Sequence, residues 1–330
     1  DLTLRDLLAA HCASTIARMR EHKVVLAVQD TTTSNSARRS GRSANFMVLP
    51  QKLKIFGKEY NVSMTNFLAV HKKLRGMKLA QIMITEALRR NRANGYNIGF
   101  YHSAQSIPTP FLTIRSSNRL INTNKLIDVR YTSLPKGMTR KEFAKKYELP
   151  NKDRFKVVGN LRRMEQKDLK EVYRLYTLQC EKHGIYLVFS KAQLAHYLMP
   201  KKDIVMTYVV EDAENPGKLS DFMSMTYFHQ TVLNGKELGH EYVMETDATM
   251  FYYSFQKNDY LTMIKQALWL AKDDMGTDTL VIYTIMDHKS EELNTTLNFL
   301  PDNTPFHYYM LNYSFGERVV ESHDMAAIFP

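Results

Sequence analysis

The chain has 330 residues, 44% of them apolar and 11% aromatic. That is enough for two domains of ordinary size with buried cores, and it excludes a disordered tail. A formal charge of +11 implies an anionic partner, for which nucleic acid, acidic lipid and CoA all qualify.

Leu4 to Met19 reads as an amphipathic helix, and the apolar run Val24 to Val28 as a short buried strand followed by Gln29-Asp30-Thr31-Thr32. Thr31 to Asn45 is rich in Ser, Thr and Arg, has no periodicity, and reads as a linker. Phe46 to Pro50 and Lys52 to Phe56 begin a globular body. Met64 to Val70 is predicted as a strand, Lys78 to Asn91 as a helix and Asn97 to His102 as a strand. Glu165 to Lys182 reads as a helix with Val172, Leu175 and Tyr176 on one face and Gly184 as its stop. Ile204 to Val210 and Asp221 to Phe228 are strands that should pair across the Asn215-Pro216-Gly217 turn. Tyr260 to Ala271 is a helix and Leu280 to Met286 a buried strand. This order predicts two successive mixed α/β lobes divided near residues 150–158.

The two cysteines, Cys12 and Cys180, cannot build a disulfide framework and point to free thiols in a reducing compartment. No apolar run approaches a membrane span and no secretory leader is visible, so a cytoplasmic protein is expected. Cys/His pairs at metal spacing, a Walker loop and a Gly-x-Ser-x-Gly elbow are all missing, so no metal is expected.

The most informative stretch is Asn66 to Ala80: an apolar strand end, a basic loop containing Gly76, and the start of a helix. Such an arrangement cradles a phosphate, because free backbone N–H groups and the positive end of the helix dipole face the anion. Arg75 and Lys78 add charge beside it. The string Arg75-x-x-Lys78-x-Ala80 resembles the acyl-CoA pyrophosphate loop of the acetyltransferase-like fold. The longer string Asn66-Phe-Leu-Ala-Val-His-Lys-Lys-Leu-Arg75 is similar to the signature of the glycylpeptide N-myristoyltransferases. Pro108-Thr-Pro110, Thr113-Ile-Arg115, Lys125-Leu-Ile-Asp-Val129, Phe251-Tyr-Tyr253 and Tyr308-Tyr309 with Asn312 follow in that family's order. The resemblance runs from about Ala44 to the C-terminus. Residues 1–35 resemble the first acidic element of an insertion-sequence DDE transposase, with Asp30 at the strand end; one carboxylate cannot make a two-metal site.

The resemblance implies an α/β (α+β) protein with two acetyltransferase-like (GNAT-like) lobes of mixed sheet flanked by helices, the first lobe truncated. It divides the chain into a transposase-like fragment over 1–35 and a linker over 36–45. An acyl-CoA lobe then covers 46–152 and a peptide lobe 153–330. It implies transfer of myristate from myristoyl-CoA, a co-substrate rather than a resident cofactor, to the N-terminal glycine of a protein or peptide. Two alternatives stand beside it: a catalytically impaired relative that binds acyl-CoA or peptide, and a basic nucleic-acid-binding protein, the latter resting on net charge and residues 1–35 alone. A monomer is expected.

By the same resemblance the backbone amides of Phe67 and Leu68 polarise the thioester carbonyl, a type of donor whose loss costs ~2.7–4 kcal/mol. Ala69 and Val70 continue the acyl-CoA strand, and Arg75, Gly76, Lys78, Leu79 and Ala80 meet the CoA phosphates. The family has Ser and Arg where Gly76 and Lys78 stand, so a hydroxyl and a bidentate fork are absent. The base is implied to be the α-carboxylate of Pro330. Tyr101, Thr113, Asn118, Tyr252, Tyr253 and Asp302 are the implied peptide contacts. Two departures fall here: Ser116-Ser117-Asn118-Arg119 replaces the family's Tyr-Trp-His-Arg, and Asn298 to Thr304 replaces a Gly-rich loop.

Overall fold

The computed structural model describes residues 44–70, 72–149, 158–233, 235, 237 and 239–328. The expected transposase-like fragment, nearly all of the linker, the lobe boundary at 150–157 and Pro330 lie outside the described residues. The described chain falls into two compact units, one of residues 44–47 and 67–85, the other of residues 48–66 and 86–328.

The elements are, in chain order, β1 (Ala44–Ile55), β2 (Lys58–Val70), α1 (Leu79–Ala93), β3 (Ile98–Ser103), β4 (Leu112–Ile114), β5 (Ser116–Leu120), α2 (Thr123–Asp128) and α3 (Arg140–Lys146). After them come β6 (Leu161–Arg163), α4 (Leu169–Cys180), β7 (Ile185–Leu187), α5 (Lys191–Leu198), β8 (Val205–Glu211), β9 (Leu219–Thr231) and β10 (Met244–Phe255). The last are α6 (Tyr260–Asp273), β11 (Thr279–Tyr283), α7 (Ser290–Leu297), β12 (Leu300–Pro301) and β13 (Phe306–Leu311).

Two sheets result, ordered β4-β13-β3-β2-β1-β7 and β12-β5-β11-β10-β9-β8-β6. The mixed α/β fold class is as expected. Each sheet takes strands from both sides of residues 150–157: β13 pairs with β3 and β4, β7 with β1, and β5 with β11. The expected division at 152/153 therefore does not coincide with a division of the sheets. β8 and β9 pair antiparallel as read from the Asn215-Pro216-Gly217 turn, Val205 facing Thr226 through Val210 facing Asp221.

Three expected elements change their limits. Phe46 to Pro50 and Lys52 to Phe56 are one strand, β1, which tolerates Pro50 because a proline can sit in a strand where no ladder bond needs its nitrogen. β11 stops at Tyr283, and Met286 lies in the left-handed region at φ 58°. The helix expected from Glu165 opens with a 3-10 turn at Gln166–Asp168 and becomes α-helical at Leu169.

Burial explains the strand runs. Leu219 to Met225 is buried at every position, the mark of a central strand covered on both faces. α6 buries Met263, Ile264, Ala267, Leu268 and Ala271, a stripe at helical spacing, and Asp259 caps it by accepting the Thr262 N–H at 2.9 Å. α5 starts on a capping box between Ser190 and Gln193. Phe100, Phe189, Phe222, Tyr208, Tyr252 and Tyr309 are the largest fully buried side chains, and burial of a side chain of this kind contributes roughly 1.5–3 kcal/mol. Leu120, Leu126, Phe143 and Tyr147 form a separate small core.

Candidate functional site: a phosphate-type loop and a buried segment at 325–328

The smaller unit carries the loop. β2 runs through Phe67, Leu68 and Ala69 to Val70, with Leu68 exposed and Ala69 and Val70 half-buried. A 3-10 turn follows at Lys72–Leu74, and the Met77 N–H reaches back to the Leu74 carbonyl at 3.4 Å. Gly76 (φ 86°) and Lys78 (φ 57°) both lie in the left-handed region. At Gly76 a Cβ would meet nothing, so conformation rather than space requires the glycine. α1 then starts at Leu79 rather than Lys78, and the Ile82 N–H donates to the Lys78 carbonyl at 3.1 Å. The amides of Leu79, Ala80 and Gln81 come before that bond, at the positive end of the helix. Its first turn has no acidic residue to compete for an anion. Arg75 and Lys78 are exposed, and Arg75 Nε donates to the Val70 carbonyl at 3.2 Å, which ties the guanidinium to the strand end.

The larger unit buries residues 325–328. Met325, Ala326 and Ala327 are fully buried and Ile328 is 6% exposed. The Met286 N–H donates to the Met325 carbonyl at 3.0 Å, and the Ala326 N–H to the Ile185 carbonyl at 2.8 Å. The Tyr252 hydroxyl accepts from the Ile328 N–H and donates to the Ile328 carbonyl, both at 3.2 Å. Tyr308 Oη donates to the Ala327 carbonyl at 3.4 Å. Tyr176 and Phe189 pack on the Tyr252 ring, with centroids at 5.2 and 5.9 Å. Burial lifts the Tyr252 hydroxyl well above the ordinary tyrosine value, so it keeps its proton and remains a donor. Phe189 also lines a cleft of about 340 Å³, together with Pro50, Gln51, Lys52, Asn61 and Gln193.

The implied peptide contacts separate into two groups. Asn118 and Asp302 come together: the Ser116 hydroxyl lies 3.3 Å from Asn118 Oδ1 and 3.4 Å from Asp302 Oδ2. Asn118 Nδ2 donates to Tyr131 Oη at 3.3 Å. Tyr101 stacks on Tyr309 with centroids at 5.0 Å, and exposed Thr113 lies 2.9 Å from His307 Nδ1. Tyr252 and Tyr253 depart from expectation. They are buried in the core; Tyr252 holds Ile328, and Tyr253 accepts the Asp287 N–H at 3.2 Å. Arg119 is structural too, buried and bonded to the carbonyls of Leu120, Leu297 and Tyr147.

Gly184 is not a helix stop. α4 ends at Cys180, and a Cβ at Gly184 would lie 2.3 Å from the Phe56 ring. Cys180 is buried, which pushes its thiol up to about 12 and leaves no thiolate for nucleophilic attack. His288, 3.3 Å from Ser117 Oγ, is pushed down to about 4 by burial and stays neutral near pH 7. Among the described residues no group of three or more His, Cys, Asp and Glu side chains is placed to hold a metal ion, and no helix is long and apolar enough to cross a membrane.

Comparison with known proteins agrees with this geometry. Residues 37–114 match the family model of the myristoyl-CoA:protein N-myristoyltransferase N-terminal domain, and residues 128–327 match its C-terminal domain. The chain belongs to the N-myristoyltransferase family. It is 29% identical over 265 residues to glycylpeptide N-tetradecanoyltransferase 1 of Arabidopsis thaliana, covering 80% of this chain and 58% of that protein. It is 30% identical over 278 residues to the Drosophila melanogaster enzyme, covering 83% and 56%. The crystal structure of Saccharomyces cerevisiae N-myristoyltransferase with bound myristoyl-CoA superposes with a TM-score of 0.73 at 26% identity, covering 82% of this chain and 67% of that one. The chain thus spans little more than half the length of the curated relatives it matches. Neither family match includes residues 1–36.

The residues around the tail were missed in the sequence. Tyr176, Phe189 and Tyr308 have no spacing that sets them apart from core aromatics, and only the fold brings them to Ile328.

Proposed function

We propose that this chain is an acyltransferase that moves myristate from myristoyl-CoA to the amine of an N-terminal glycine. The observation that carries the reading is the loop: left-handed Gly76 and Lys78 set ahead of a helix N-terminus that has no acidic residue in its first turn. Arg75, Gly76, Lys78, Leu79 and Ala80 would take the CoA phosphates, with Ala69 and Val70 alongside. The amides of Phe67 and Leu68 would polarise the thioester carbonyl. The glycine amine attacks that carbon, the C–N bond forms and the C–S bond breaks. The amine proton passes to a base and from it to the departing sulfur, so CoA leaves as the thiol. In the sequence given, the base is read as the α-carboxylate of Pro330. Met325 to Ile328 are buried, and a carboxylate in an apolar setting would be raised toward useful basicity.

Tyr101, Thr113, Asn118 and Asp302 are the proposed peptide contacts, and Tyr252 and Tyr253 are reassigned to holding the tail and its neighbour. The division into an acyl-CoA half over 46–152 and a peptide half over 153–330, after a linker over 36–45, is likewise our reading. So are a transposase-like origin for residues 1–35, a monomeric state and a cytoplasmic location; the buried free thiol of Cys180 agrees with a reducing compartment.

One observation favours a second reading, binding without turnover. Leu300 and Pro301 form a short strand on Asn118 and Ser117 where the family has a Gly-rich loop. Thermal-shift titration with a non-hydrolysable myristoyl-CoA analogue tests what both readings share. At 100 times Kd the ligand should stabilise the fold by about 2.7 kcal/mol. The absence of any shift at saturating analogue would remove both.

A further inference from the structure

β10 carries Glu245 and Asp247 two residues apart, so both side chains leave the same face of the strand. They are 3% and 5% exposed, and Asp278, just ahead of β11, is 3% exposed. One side-chain amide bridges the pair: Gln230 Nε2 of β9 donates to Glu245 Oε2 at 2.9 Å and to Asp247 Oδ2 at 3.0 Å. Two oxygens sharing one donor at those distances lie within about 6 Å of each other. Thr279 Oγ1 of β11 donates to the other Asp247 oxygen. Glu245 Oε1 is buried and has no hydrogen-bond partner among the described residues.

The surrounding charges do not neutralise the pair. Lys125 of α2 faces it, but its Nζ is engaged by Asp278 Oδ2 at 2.6 Å. Asp278 also accepts the Thr246 N–H at 3.0 Å and the Asn122 amide at 3.1 Å. The phenols of Tyr131 and Tyr283 face the pair from beyond α2 and from β11, and Asp302 adds negative charge to the same region. His229, the neighbour of Gln230, is bonded instead to Thr246 and the Asp203 carbonyl. Three buried carboxylates thus meet one lysine. Two like charges this close cannot both ionise cheaply in a buried site.

We propose that Glu245 and Asp247 hold one proton between them at neutral pH, and that this proton locks the stem of the β9–β10 hairpin. It turns two facing carboxylate groups into a donor and an acceptor, so that Glu245 and Asp247 can hydrogen-bond to each other. Burial first, and the Asp247 charge next, push Glu245 up to about 9, and burial raises Asp247 as well. A carboxyl raised in this way takes up a proton on folding. Its stabilisation is therefore complete below the ordinary carboxylate value of about 4.3 and fades as pH rises toward 9. The part of the ladder released lies beyond the pair, where Met244 faces Thr231 and where Leu233, Val243 and Met244 are already exposed.

Denaturant unfolding of the full chain and of E245Q between pH 6 and 9 tests the lock. The glutamine amide supplies Asp247 with a fixed donor, so this variant should fold. The ratio of the two unfolding constants should change about tenfold per pH unit, the unsubstituted protein losing ground as pH rises. D247N should flatten the profile only in part, because burial continues to raise Glu245. Profiles that run parallel across this range overturn the proposal. If neither variant folds, the unsubstituted protein decides it: unfolding near pH 7.5, followed by calorimetry in buffers of different ionisation enthalpy, must release close to one proton, and release of none refutes the lock.

Discussion

Replacing Tyr252 by Phe removes one oxygen from a fully buried position. The ring keeps its neighbours Phe251, Tyr176 and Phe189, at 4.5, 5.2 and 5.9 Å. What disappears is the hydroxyl that serves both the N–H and the carbonyl of Ile328. A buried backbone group left without a partner costs about 1–3 kcal/mol, so two such groups predict a loss of about 2–6 kcal/mol for Y252F. Y308F should cost less, about 1 kcal/mol, because its bond to the Ala327 carbonyl is longer, at 3.4 Å. Urea unfolding with an unchanged m-value reads the first number. Hydrogen exchange at the Ile328 amide reads the local effect, which should quicken in Y252F and much less in Y308F. A Y252F protein within about 0.5 kcal/mol of the unsubstituted one, the range of an ordinary surface change, with Ile328 exchange unaltered, would refute the view that this tyrosine fastens the tail.

Arg75→Glu with Lys78→Glu should abolish binding of a myristoyl-CoA analogue in equilibrium titration. Both side chains are exposed, so unfolding free energy should move by less than about 1 kcal/mol. Gly184→Ala should destabilise by about 1–3 kcal/mol in denaturant unfolding, since its Cβ would meet the Phe56 ring at 2.3 Å while the Arg318 guanidinium covers that ring at 3.9 Å. His288 is pushed down to about 4 by burial. It is neutral in the fold and takes up a proton on unfolding, so its contribution is whole above about pH 6.5 and is lost as pH falls toward 4. In unfolding curves between pH 7 and 4, replacing it with Gln should make the acid-side decline shallower.

The sequence made the loop legible because its chemistry is local. Asn66 to Ala80 holds the strand end, the positive-φ glycine and the helix start within fifteen consecutive residues, and backbone geometry follows from such neighbours. The helices α1, α4 and α6 were readable from apolar spacing, and the β8–β9 pair from its turn. The interleaving of the sheets was not, because the pairing of β13 with β3 and of β7 with β1 is set by long-range register. Tyr252 shows the same limit from the side of the site. Its place in a resembling motif suggested a pocket wall, whereas its place in the fold makes it the partner of Ile328. Gly184 was assigned to a helix stop since glycine commonly plays that part, and only Phe56, 128 residues earlier, reveals the close approach.

The central claim is acyl transfer, and one measurement reaches it most directly. The purified chain is incubated with myristoyl-CoA and a short peptide bearing an N-terminal glycine, and the products are read by mass spectrometry with fragmentation. The account predicts a myristoyl group on the glycine α-amine, with no product from the same peptide bearing an N-terminal alanine. Bound acyl-CoA with no acylated peptide would contradict it and leave a binding protein in its place.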